Sequence, residues 1–375
     1  MNPHIAVNTR LLLPGRQEGI SRFAIEVLRR MTQRNPDVNF SFFFDRTYDP
    51  TYVFHSNVQP YVLPPQARHP VLWYTWFHGV ASWKLRQLTP NVFFSPEFYL
   101  CPNAQLPQVP VFHDLAYEHY PEDIGKWAAR YCRKYSPQYA QSATKILTVS
   151  EYSRQDIVYQ YGIEEGKIHV VYNGVGENYA PIPTQEREKV RERYSQGCPY
   201  FLFVGTVQPR KNLETLLKAF DIFRSKVSIP IKLLIAGRRG WQVEKVIETY
   251  QLMQNRDEVA FTGFVPEEDL PKLYGAATAL CYIPYLEGFG IPLLEAMACD
   301  CPILCSNVSS LPEVAGEAAL QVDPFDTEQI SQGLMRLWTD KVFRENLIKK
   351  GREQKKNYSW DRTYDEVWKV LQQFL

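Results

Sequence analysis

Residues 285–295 have the sequence Tyr-Leu-Glu-Gly-Phe-Gly-Ile-Pro-Leu-Leu-Glu and directly follow a short apolar run. The two glycines, Gly288 and Gly290, allow a backbone to approach a ligand closely, and Pro292 suits the first turn of a helix. Glu287 is therefore expected in a loop after a strand, and Glu295 about one turn into the following helix. At this spacing the two carboxylates can contact one ligand from its two ends.

A structural interpretation competes with this one, in which one glutamate caps the helix and the other is a surface acid. Glu295, however, lies within the apolar run 293–298. A buried carboxylate requires a hydrogen-bonding or charged partner, so the position favours a functional role.

Short apolar runs recur around this segment at intervals of roughly 20–30 residues, with helical segments between them. They are residues 200–205, 231–237, 259–264, 277–284, 301–306 and 318–323. After the first run, an apolar stripe with helical spacing is formed by Leu213, Leu216, Leu217, Phe220 and Phe223. Alternating strands and helices predict a parallel sheet covered by helices on both faces.

The first half of the chain repeats this alternation less cleanly. We expect strands near residues 4–13, 38–44, 58–63, 91–95, 108–113, 144–149 and 168–172, with helices near 20–34, 122–142 and 151–160. Residues 174–197 then have the composition of a linker followed by a short polar helix. The predicted fold class is therefore α/β, with one domain over residues 1–180 and a second over 181–358. We expect a ligand between the domains, at the carboxyl ends of the strands.

The composition excludes several classes of protein. The 375 residues contain 42 Lys+Arg and 41 Asp+Glu, so the basic surface of a nucleic-acid-binding protein is missing and no nucleic-acid partner is expected. No apolar run approaches the ~18–20 residues of a membrane span, and the first residues have no signal-peptide pattern. The seven cysteines form no Cys-x-x-Cys pair, so we expect no metal site. The expected location is the cytoplasm.

The common motifs for nucleotide cofactors are also missing. There is no Gly-x-Gly-x-x-Gly after the first strand, no P-loop motif and no Asp-x-Asp. A dehydrogenase or a P-loop enzyme is therefore not expected. Any bound phosphates must be held by backbone amides and basic side chains.

Three further segments place polar groups or glycines at predicted strand ends. Residues 205–212 contain Arg210 and Lys211 beside a helix N-terminus, which suits a diphosphate, although a solvated loop is the competing interpretation. His113 follows another strand and is either a substrate contact or a hydrogen-bonded structural histidine. Gly19, in Glu18-Gly19-Ile20, either permits the close approach of a substrate or forms a plain strand–helix turn.

Together these segments resemble the retaining glycosyltransferases of family 4, and the resemblance covers nearly the whole chain. The most specific match is Glu287–Glu295, which has the spacing of that family's Glu-x7-Glu motif. Residues 113–115, 148–151, 173–175 and 205–212 also occupy the positions of family motifs, in the same order. The resemblance implies a GT-B fold, in which two Rossmann-like domains have parallel sheets that face each other across a central cleft. It also implies that residues 359–375 form a C-terminal helix that crosses back to the N-terminal domain.

The resemblance implies roles for individual residues. Lys211 matches the lysine that contacts the donor diphosphate, and Glu287 matches the acid that holds hydroxyls of the transferred sugar. Glu295 matches the acid that binds the ribose hydroxyls, and His113 the histidine near the sugar and the attacking hydroxyl. Further donor contacts are implied for Gly19, Gly205, Thr206, Gly263, Phe264 and Val265, and for the amides of Phe289, Gly290 and Ile291. Many family members have an arginine where this chain has Thr206, so Arg210 is expected to supply the second positive charge.

The implied reaction is the transfer of a hexosyl unit with retention, without a metal ion or a cofactor, in the synthesis of a cell-surface polysaccharide. We expect GDP-mannose as the donor, bound by the C-terminal domain, with a UDP-hexose as the alternative. The N-terminal domain would bind a glycan or lipid-linked glycan acceptor. No pair of carboxylates is placed for a double displacement, which favours departure and attack on one face of the sugar. A nucleotide-sugar epimerase or phosphorylase, and a non-catalytic nucleotide-sugar-binding protein, remain as alternatives.

Two features of the N-terminal half bear on the acceptor. Residues 71–98 are dense in aromatic side chains, which either form a core or stack on sugars. A predicted helix has basic residues interleaved with two aromatic ones, and this face is either solvated or rests on anionic lipid. Its residues are Lys126, Trp127, Arg130, Tyr131, Arg133 and Lys134. A peripheral contact with the inner face of the cytoplasmic membrane is therefore a hypothesis.

Overall fold

The computed structural model describes residues 2–15 and 19–375, so Glu18 of the predicted glycine turn lies outside the described residues. The chain divides into two compact units. Unit 1 is Met1–Gly174 together with Ser359–Leu375, and unit 2 is Val175–Tyr358. The division falls after Gly174, earlier than the boundary at residue 180 that we drew in the linker.

Unit 1 contains a seven-stranded parallel sheet in the order β3-β2-β1-β4-β5-β6-β7. Its strands are β1 (His4–Asn8), β2 (Asn39–Phe44), β3 (Val58–Val62), β4 (Val92–Ser95), β5 (Gln108–Phe112), β6 (Ile146–Thr148) and β7 (Ile168–Val170). The central strand β1 pairs on both sides, with Ile5 opposite Phe40 of β2 and Val92 of β4. The strands predicted in the first half are therefore confirmed, with shorter bounds.

The helices of unit 1 cover this sheet. They are α1 (Gly19–Arg34), α2 (Pro70–Tyr74), α3 (Ser82–Leu88), α4 (Ala116–His119), α5 (Lys126–Ser142) and α6 (Glu151–Tyr161), and a π-helical segment, Thr75–Ala81, joins α2 to α3. The sequence predicts no helix between residues 70 and 88. Among the aromatic residues of segment 71–98, Trp76, Phe77, Phe93 and Phe94 are fully buried, whereas Tyr74 and Trp83 are about half exposed. Most of the aromatic side chains here therefore form core, as the structural alternative expected.

The last helix of the chain, α15 (Trp360–Leu371), belongs to unit 1 and packs against α1. Its apolar stripe includes Val367 and Leu371, both fully buried. The hydroxyl of Thr363 donates to the carbonyl oxygen of Tyr172 at 2.6 Å, and Arg30 of α1 pairs with Asp361 at 3.0 Å. Residues 359–375 thus complete the first unit.

Unit 2 contains a six-stranded parallel sheet in the order β10-β9-β8-β11-β12-β13. Its strands are β8 (Tyr200–Val204), β9 (Lys232–Ala236), β10 (Val259–Gly263), β11 (Ala279–Tyr282), β12 (Ile303–Ser306) and β13 (Leu320–Val322). Its helices are α7 (Thr184–Ser195), α8 (Leu213–Ser225), α9 (Glu244–Leu252), α10 (Leu270–Ala276), α11 (Ile291–Ala298), α12 (Leu311–Ala315), α13 (Thr327–Thr339) and α14 (Lys341–Gln354). All six predicted strands are confirmed.

The predicted apolar stripe of α8 is buried along its whole length. Its side chains pack with those of β8 and β9 in one apolar core. Hydrophobic burial on this scale fixes the helix against the sheet, because each fully buried Leu or Phe contributes about 1.5–3 kcal/mol. Within residues 2–15 and 19–375, none of the helices combines the length and the apolar character that a bilayer-spanning helix requires.

Candidate active site

Two loops of unit 2 begin at the carboxyl ends of neighbouring strands. β8 pairs in parallel with β11, with Phe201 opposite Ala279. Because parallel strands end at the same edge of a sheet, the loop after β8 (residues 205–212) lies beside the loop after β11 (residues 283–290). The structure therefore brings the predicted basic pair and the predicted sugar-binding glutamate to one place.

Lys211 and Glu287 form an ion pair at this edge. The ammonium nitrogen Nζ of Lys211 lies 2.6 Å from Oε2 of Glu287 and 2.6 Å from the hydroxyl of Tyr282. The Tyr282 hydroxyl also lies 2.9 Å from Oε2 of Glu287. Arg210 donates from Nη1 to Oε2 at 3.3 Å and to the Leu286 carbonyl at 3.1 Å. Two cations and a tyrosine thus converge on one carboxylate oxygen.

This cluster is shielded from solvent. The side chains of Lys211 and Glu287 are 12% and 15% exposed. Burial alone would raise the pKa of Glu287, but the charges of Lys211 and Arg210 outweigh it and lower the pKa to about 2. Burial raises the pKa of the Tyr282 hydroxyl, and the neighbouring carboxylate raises it further. Glu287 is therefore ionised and Tyr282 protonated at neutral pH.

Gly290 places the start of α11 beside this cluster. Its φ angle is +98°, and a Cβ atom at this position would lie 2.5 Å from Cδ2 of Leu311, so the turn requires glycine. The preceding loop is held by two serines: the Glu287 amide donates to Ser309 Oγ at 3.1 Å, and Ser310 Oγ donates to the Glu287 carbonyl at 2.8 Å. The backbone around Glu287 is therefore fixed from both sides.

Glu295 lies inside α11 and is 5% exposed. The hydroxyl of Tyr274 donates to its Oε2 at 2.8 Å, and burial raises the pKa of that hydroxyl. The surface-acid interpretation of Glu295 is therefore wrong. Tyr274 is the partner that a buried carboxylate requires.

The other predicted donor-site residues of unit 2 lie either in or next to the loops after β8 and β11 or at the end of β10. Phe289 is 3% exposed and its ring meets Tyr358 edge-on, so its side chain belongs to the core and only its backbone suits a ligand contact. Ile291 is the first residue of α11. Gly205 and Thr206 begin the loop after β8, with Gly205 at φ +140°.

Gly263 is the last residue of β10, and Phe264 and Val265 follow it. β10 lies two strands away from β8 in the same sheet. Gly263 accepts at its carbonyl from the Gly237 amide at 2.9 Å. Phe264 is 60% exposed, and the guanidinium carbon of Arg238 lies 4.3 Å from the centre of its ring. These residues share the carboxyl edge of the sheet with Lys211, but no described hydrogen bond joins the two groups.

His113 and Gly19 belong to unit 1. The His113 Nε2 atom lies 2.8 Å from the carbonyl oxygen of Pro96, and since a carbonyl only accepts, Nε2 carries a proton. Burial lowers the pKa of His113, so the ring is neutral and its Nδ1 is an acceptor. Gly19 begins α1 at φ +31°, and Phe23 of the same helix meets the His113 ring edge-on. The donor contacts implied for both residues stay predictions.

A cavity of about 710 Å³ lies beside α5 in unit 1. Its lining includes Lys126, Arg130, Arg133, Lys134, Glu118 and Glu122. Trp127 of the same helix is 68% exposed, but Tyr131 is 6% exposed and bonds to the Tyr139 hydroxyl at 2.8 Å. The prediction that Tyr131 shares the exposed face with the basic residues is therefore wrong, because α5 turns this ring into the core.

Sequence reasoning missed a buried ion pair at the carboxyl edge of the unit 1 sheet. Arg10 follows β1 and Glu97 follows β4, and the Arg10 Nη2 atom lies 2.5 Å from Glu97 Oε2. Asn8 donates to Oε1 of the same carboxylate at 2.8 Å. The sequence contains a signal for this pair, because Arg10 and Glu97 are charged residues near the ends of two predicted strands. Tyr282 and Tyr274 were missed as well, because each looks like an ordinary apolar core residue.

Comparison with known proteins identifies the family. Residues 18–178 match the model described as Glycosyltransferase Family 4, and residues 184–354 match the model described as Glycosyl transferases group 1. The O-antigen chain mannosyltransferase B of Escherichia coli is 35% identical over 283 residues, which is 75% of this chain and 74% of that protein.

Two solved structures show the fold. A sucrose-phosphate synthase from Thermosynechococcus elongatus superposes with a TM-score of 0.82 at 18% identity, covering 99% of this chain and 98% of that one. Alr3699/HepE of Anabaena, solved with UDP and glucose, gives a TM-score of 0.77 at 15% identity, covering 99% and 100%. The expected pair of Rossmann-like domains with the GT-B fold is thereby confirmed. The two family models and the Escherichia coli relative together establish that the chain belongs to the family 4 (group 1) glycosyltransferases.

Proposed function

We propose that this glycosyltransferase moves a mannosyl unit from GDP-mannose to a glycan or lipid-linked glycan, with retention, during O-antigen synthesis. The observation that supports the donor type is the cluster of Arg210, Lys211, Tyr282 and Glu287. The name of the Escherichia coli relative supports mannose and the O-antigen as the sugar and the product.

The charges of the cluster suit a diphosphate. Arg210 and Lys211 contribute two positive charges and Glu287 one negative charge, so a net positive charge remains in a site with little solvent. Cations in such a site stabilise the negative charge that develops on a leaving diphosphate, and the fold holds both of them at the carboxyl edge of the sheet. We therefore propose that these side chains neutralise the diphosphate without a metal ion.

Glu287 is placed to orient the transferred sugar. Among the residues that the structure describes, all three of its side-chain hydrogen bonds end on Oε2, which leaves Oε1 to accept from a sugar hydroxyl. A carboxylate bonded to two cations is a poor nucleophile, so this arrangement favours an orienting role over covalent attack. We infer that the acceptor hydroxyl attacks the face from which the diphosphate departs.

The direct test is a panel of GDP-, UDP- and ADP-sugars, scored by binding and by release of the nucleoside diphosphate. We expect GDP-mannose to bind and to be hydrolysed slowly by the wild-type protein but not by Glu287→Ala. The exposed Glu268 supplies the matched control, Glu268→Ala, which should behave like wild type. If a UDP-hexose is turned over and GDP-mannose is not, the donor is the UDP-hexose. If no nucleotide sugar binds, the proposed function is wrong.

Two additions to the panel examine the chemistry. Activity should persist in EDTA, because the proposed mechanism neutralises the diphosphate with protein cations. The product formed on an acceptor should have the anomeric configuration of the donor sugar, which NMR of the product establishes. Loss of activity in EDTA, or an inverted product, contradicts the corresponding part of the mechanism.

We propose further that unit 1 rests on an anionic membrane through α5, at the inner face of the cytoplasmic membrane. The exposed residues Lys126, Trp127, Arg130 and Lys134 combine positive charge with an apolar ring. Each lysine or arginine near an anionic surface contributes about 1 kcal/mol to binding. Arg133 adds less because it pairs with Glu118 at 3.1 Å.

Flotation with liposomes tests this contact. Wild-type protein should float with vesicles that contain anionic lipid and stay behind with neutral vesicles. The variant Lys126→Gln/Trp127→Ser/Arg130→Gln should lose flotation, whereas Lys189→Gln, an exposed charge on α7 of unit 2, should not. Wild-type protein that remains unbound to anionic vesicles excludes the membrane contact.

A further inference from the structure

A second cavity lies at the opposite edge of the unit 2 sheet from the Lys211–Glu287 cluster. Its volume is about 290 Å³, and its lining includes Pro199, Thr278 and Pro302. These residues directly precede β8, β11 and β12. Because the strands are parallel, the amino edge of the sheet is remote from the carboxyl edge that holds Gly205 and Glu287. The cavity is therefore separate from the candidate active site.

Three arginines line this cavity, which we call the arginine cavity. Arg187 and Arg191 come from α7, and Arg344 comes from α14. Within the described ranges 2–15 and 19–375, none of the three forms an ion pair with a carboxylate. Arg191 donates from Nε to the Ala276 carbonyl at 3.1 Å. Arg344 donates from Nη1 to the carbonyls of Leu337 and Trp338 at 2.6 and 2.9 Å.

Arg187 is the least satisfied of the three. Its Nε atom is buried and has no hydrogen-bond partner among the described residues. Burial lowers the pKa of Arg191, and the positive charge of Arg187 lowers it further. All three arginines are partly buried, and a cation that has lost part of its hydration is normally paired with an anion. The arginine cavity thus holds donors for which the described residues supply no acceptor.

The single carboxylate in the lining does not correct this imbalance. Asp300 is bound in bidentate fashion by Arg352, with Nε to Oδ1 at 2.8 Å and Nη2 to Oδ2 at 2.6 Å. Its charge is therefore already matched by a fourth arginine. The cavity keeps an excess of positive charge.

We propose that the arginine cavity is an anion-binding site that takes the phosphate group of a small molecule. Guanidinium groups bind phosphate through parallel N–H···O bonds, and two from one helix face with a third from another helix can contact different oxygens. The volume is near the lower end of the ~300–1,000 Å³ typical of small-ligand sites, so it suits a small molecule as the occupant. Trp338 supplies an apolar wall for the remainder of the molecule.

Equilibrium dialysis with radiolabelled inorganic phosphate at constant ionic strength tests the proposal. Four proteins are compared: wild type, Arg187→Gln/Arg191→Gln, Lys189→Gln and Lys211→Gln. We expect wild type and Lys189→Gln to bind phosphate equally, because Lys189 is exposed on the same helix and does not line the cavity. The double variant should bind at least about tenfold more weakly, since it loses two charge-assisted donors.

Lys211→Gln separates this site from the donor site, because it removes the cation of the candidate active site and should keep phosphate binding. Loss of binding in Lys211→Gln with retention in the double variant would place the phosphate at the donor site and overturn the proposal. Equal binding by wild type and the double variant would overturn it too, as would no binding at millimolar phosphate. A circular-dichroism spectrum shows whether the double variant is folded. The single variant Arg187→Gln, which keeps the contact of Arg191 with Ala276, should also bind phosphate more weakly than wild type.

Competition by a hexose phosphate then identifies the source of the phosphate group. If the hexose phosphate displaces the radiolabelled phosphate at a lower concentration than unlabelled phosphate does, the occupant is a phosphate monoester. Absence of displacement indicates inorganic phosphate. Both results require the site to exist, and neither depends on turnover of a nucleotide sugar.

Discussion

The ammonium group of Lys211 donates a hydrogen bond of 2.6 Å to the carboxylate of Glu287, and both side chains are largely buried. The two residues come from different loops, which follow neighbouring parallel strands. Glu287 is therefore a counter-charge of Lys211, and in the proposed donor complex a diphosphate would supply a second one. A donor that binds here has to compete with Glu287 for the same ammonium group.

Replacement of Lys211 by glutamine should lower kcat/KM by about 10²–10³, because it removes one preorganised cation from the leaving diphosphate. The control is Lys218→Gln on α8, whose side chain is 52% exposed and pairs with Glu214 one turn away. That variant should keep wild-type activity, since exposed pairs of this type contribute only about 0.3–0.5 kcal/mol. Steady-state kinetics with the preferred donor provide the measurement. An equal loss in both variants would show that general electrostatics, and not this contact, supports turnover.

The low pKa of Glu287 predicts how stability depends on pH. The carboxyl has a pKa of about 2 in the folded chain against an ordinary value of 4.5. A carboxyl whose pKa is lowered on folding stabilises the fold above its unfolded-state pKa, and that contribution disappears as the pH falls toward the folded value.

Wild type should therefore exceed Glu287→Gln in free energy of unfolding by about 3 kcal/mol at pH 6, and this difference should shrink below about pH 4. Urea titrations of both proteins from pH 6 down to about pH 2.5 test the prediction, because the contribution is lost between the unfolded and the folded pKa. A difference that stays constant with pH would show that the ion pair does not shift the pKa of Glu287.

Gly290 and Gly263 provide a matched pair of glycine substitutions. Both have positive φ angles, +98° and +69°, but only at Gly290 does an added Cβ meet a side chain, 2.5 Å from Leu311 Cδ2. Gly263→Ala should lose about 1–2 kcal/mol from backbone strain alone. Gly290→Ala should lose a further ~1–3 kcal/mol from overpacking. Thermal unfolding of the two variants decides the comparison, and equal losses would contradict the role of Leu311.

The buried pair Arg10–Glu97 predicts a strong coupling in unit 1. Glu97→Gln leaves the guanidinium of Arg10 without its counter-charge in a site where both side chains are less than a tenth exposed. The expected loss is about 3–5 kcal/mol of stability. Arg10→Met/Glu97→Leu should lose less than the single variant, because no unpaired charge stays buried. Denaturant unfolding of the full chain measures both, and a larger loss in the double variant than in Glu97→Gln would contradict the coupling.

The positions of the strands along the chain could be predicted from the sequence because they are short apolar runs between helical segments, whereas the order of the strands within each sheet came only from the structure. The sequence also places Lys211 and Glu287 at one edge of a sheet, because residues that follow parallel strands meet there. It did not predict that the two form an ion pair with Tyr282. Tyr282 is the last residue of β11, and nothing in a buried apolar run shows which ring turns its hydroxyl toward the ligand edge.

The region between residues 70 and 88 escaped prediction for a different reason. Its helices are joined by a π-helical segment, so the buried side chains do not repeat with a period of 3.6 residues. The prediction that Tyr131 lies on the exposed face of α5 was wrong for a related reason. Tyr131 is interleaved with the basic residues in the sequence, which suggested that it shares their face. The hydroxyl contact between Tyr131 and Tyr139 draws the ring inward, and a sequence alone does not reveal such a contact.

The return of α15 to the first unit affects how the chain is made. A ribosome releases all of Val175–Tyr358 before it releases Ser359–Leu375, so the second unit can fold during synthesis while the first still lacks a helix. Until then the surface of α1 that receives Val367 and Leu371 stays uncovered on the nascent chain. The first unit is thus the first to be translated, but it cannot complete its fold before its last helix has been made.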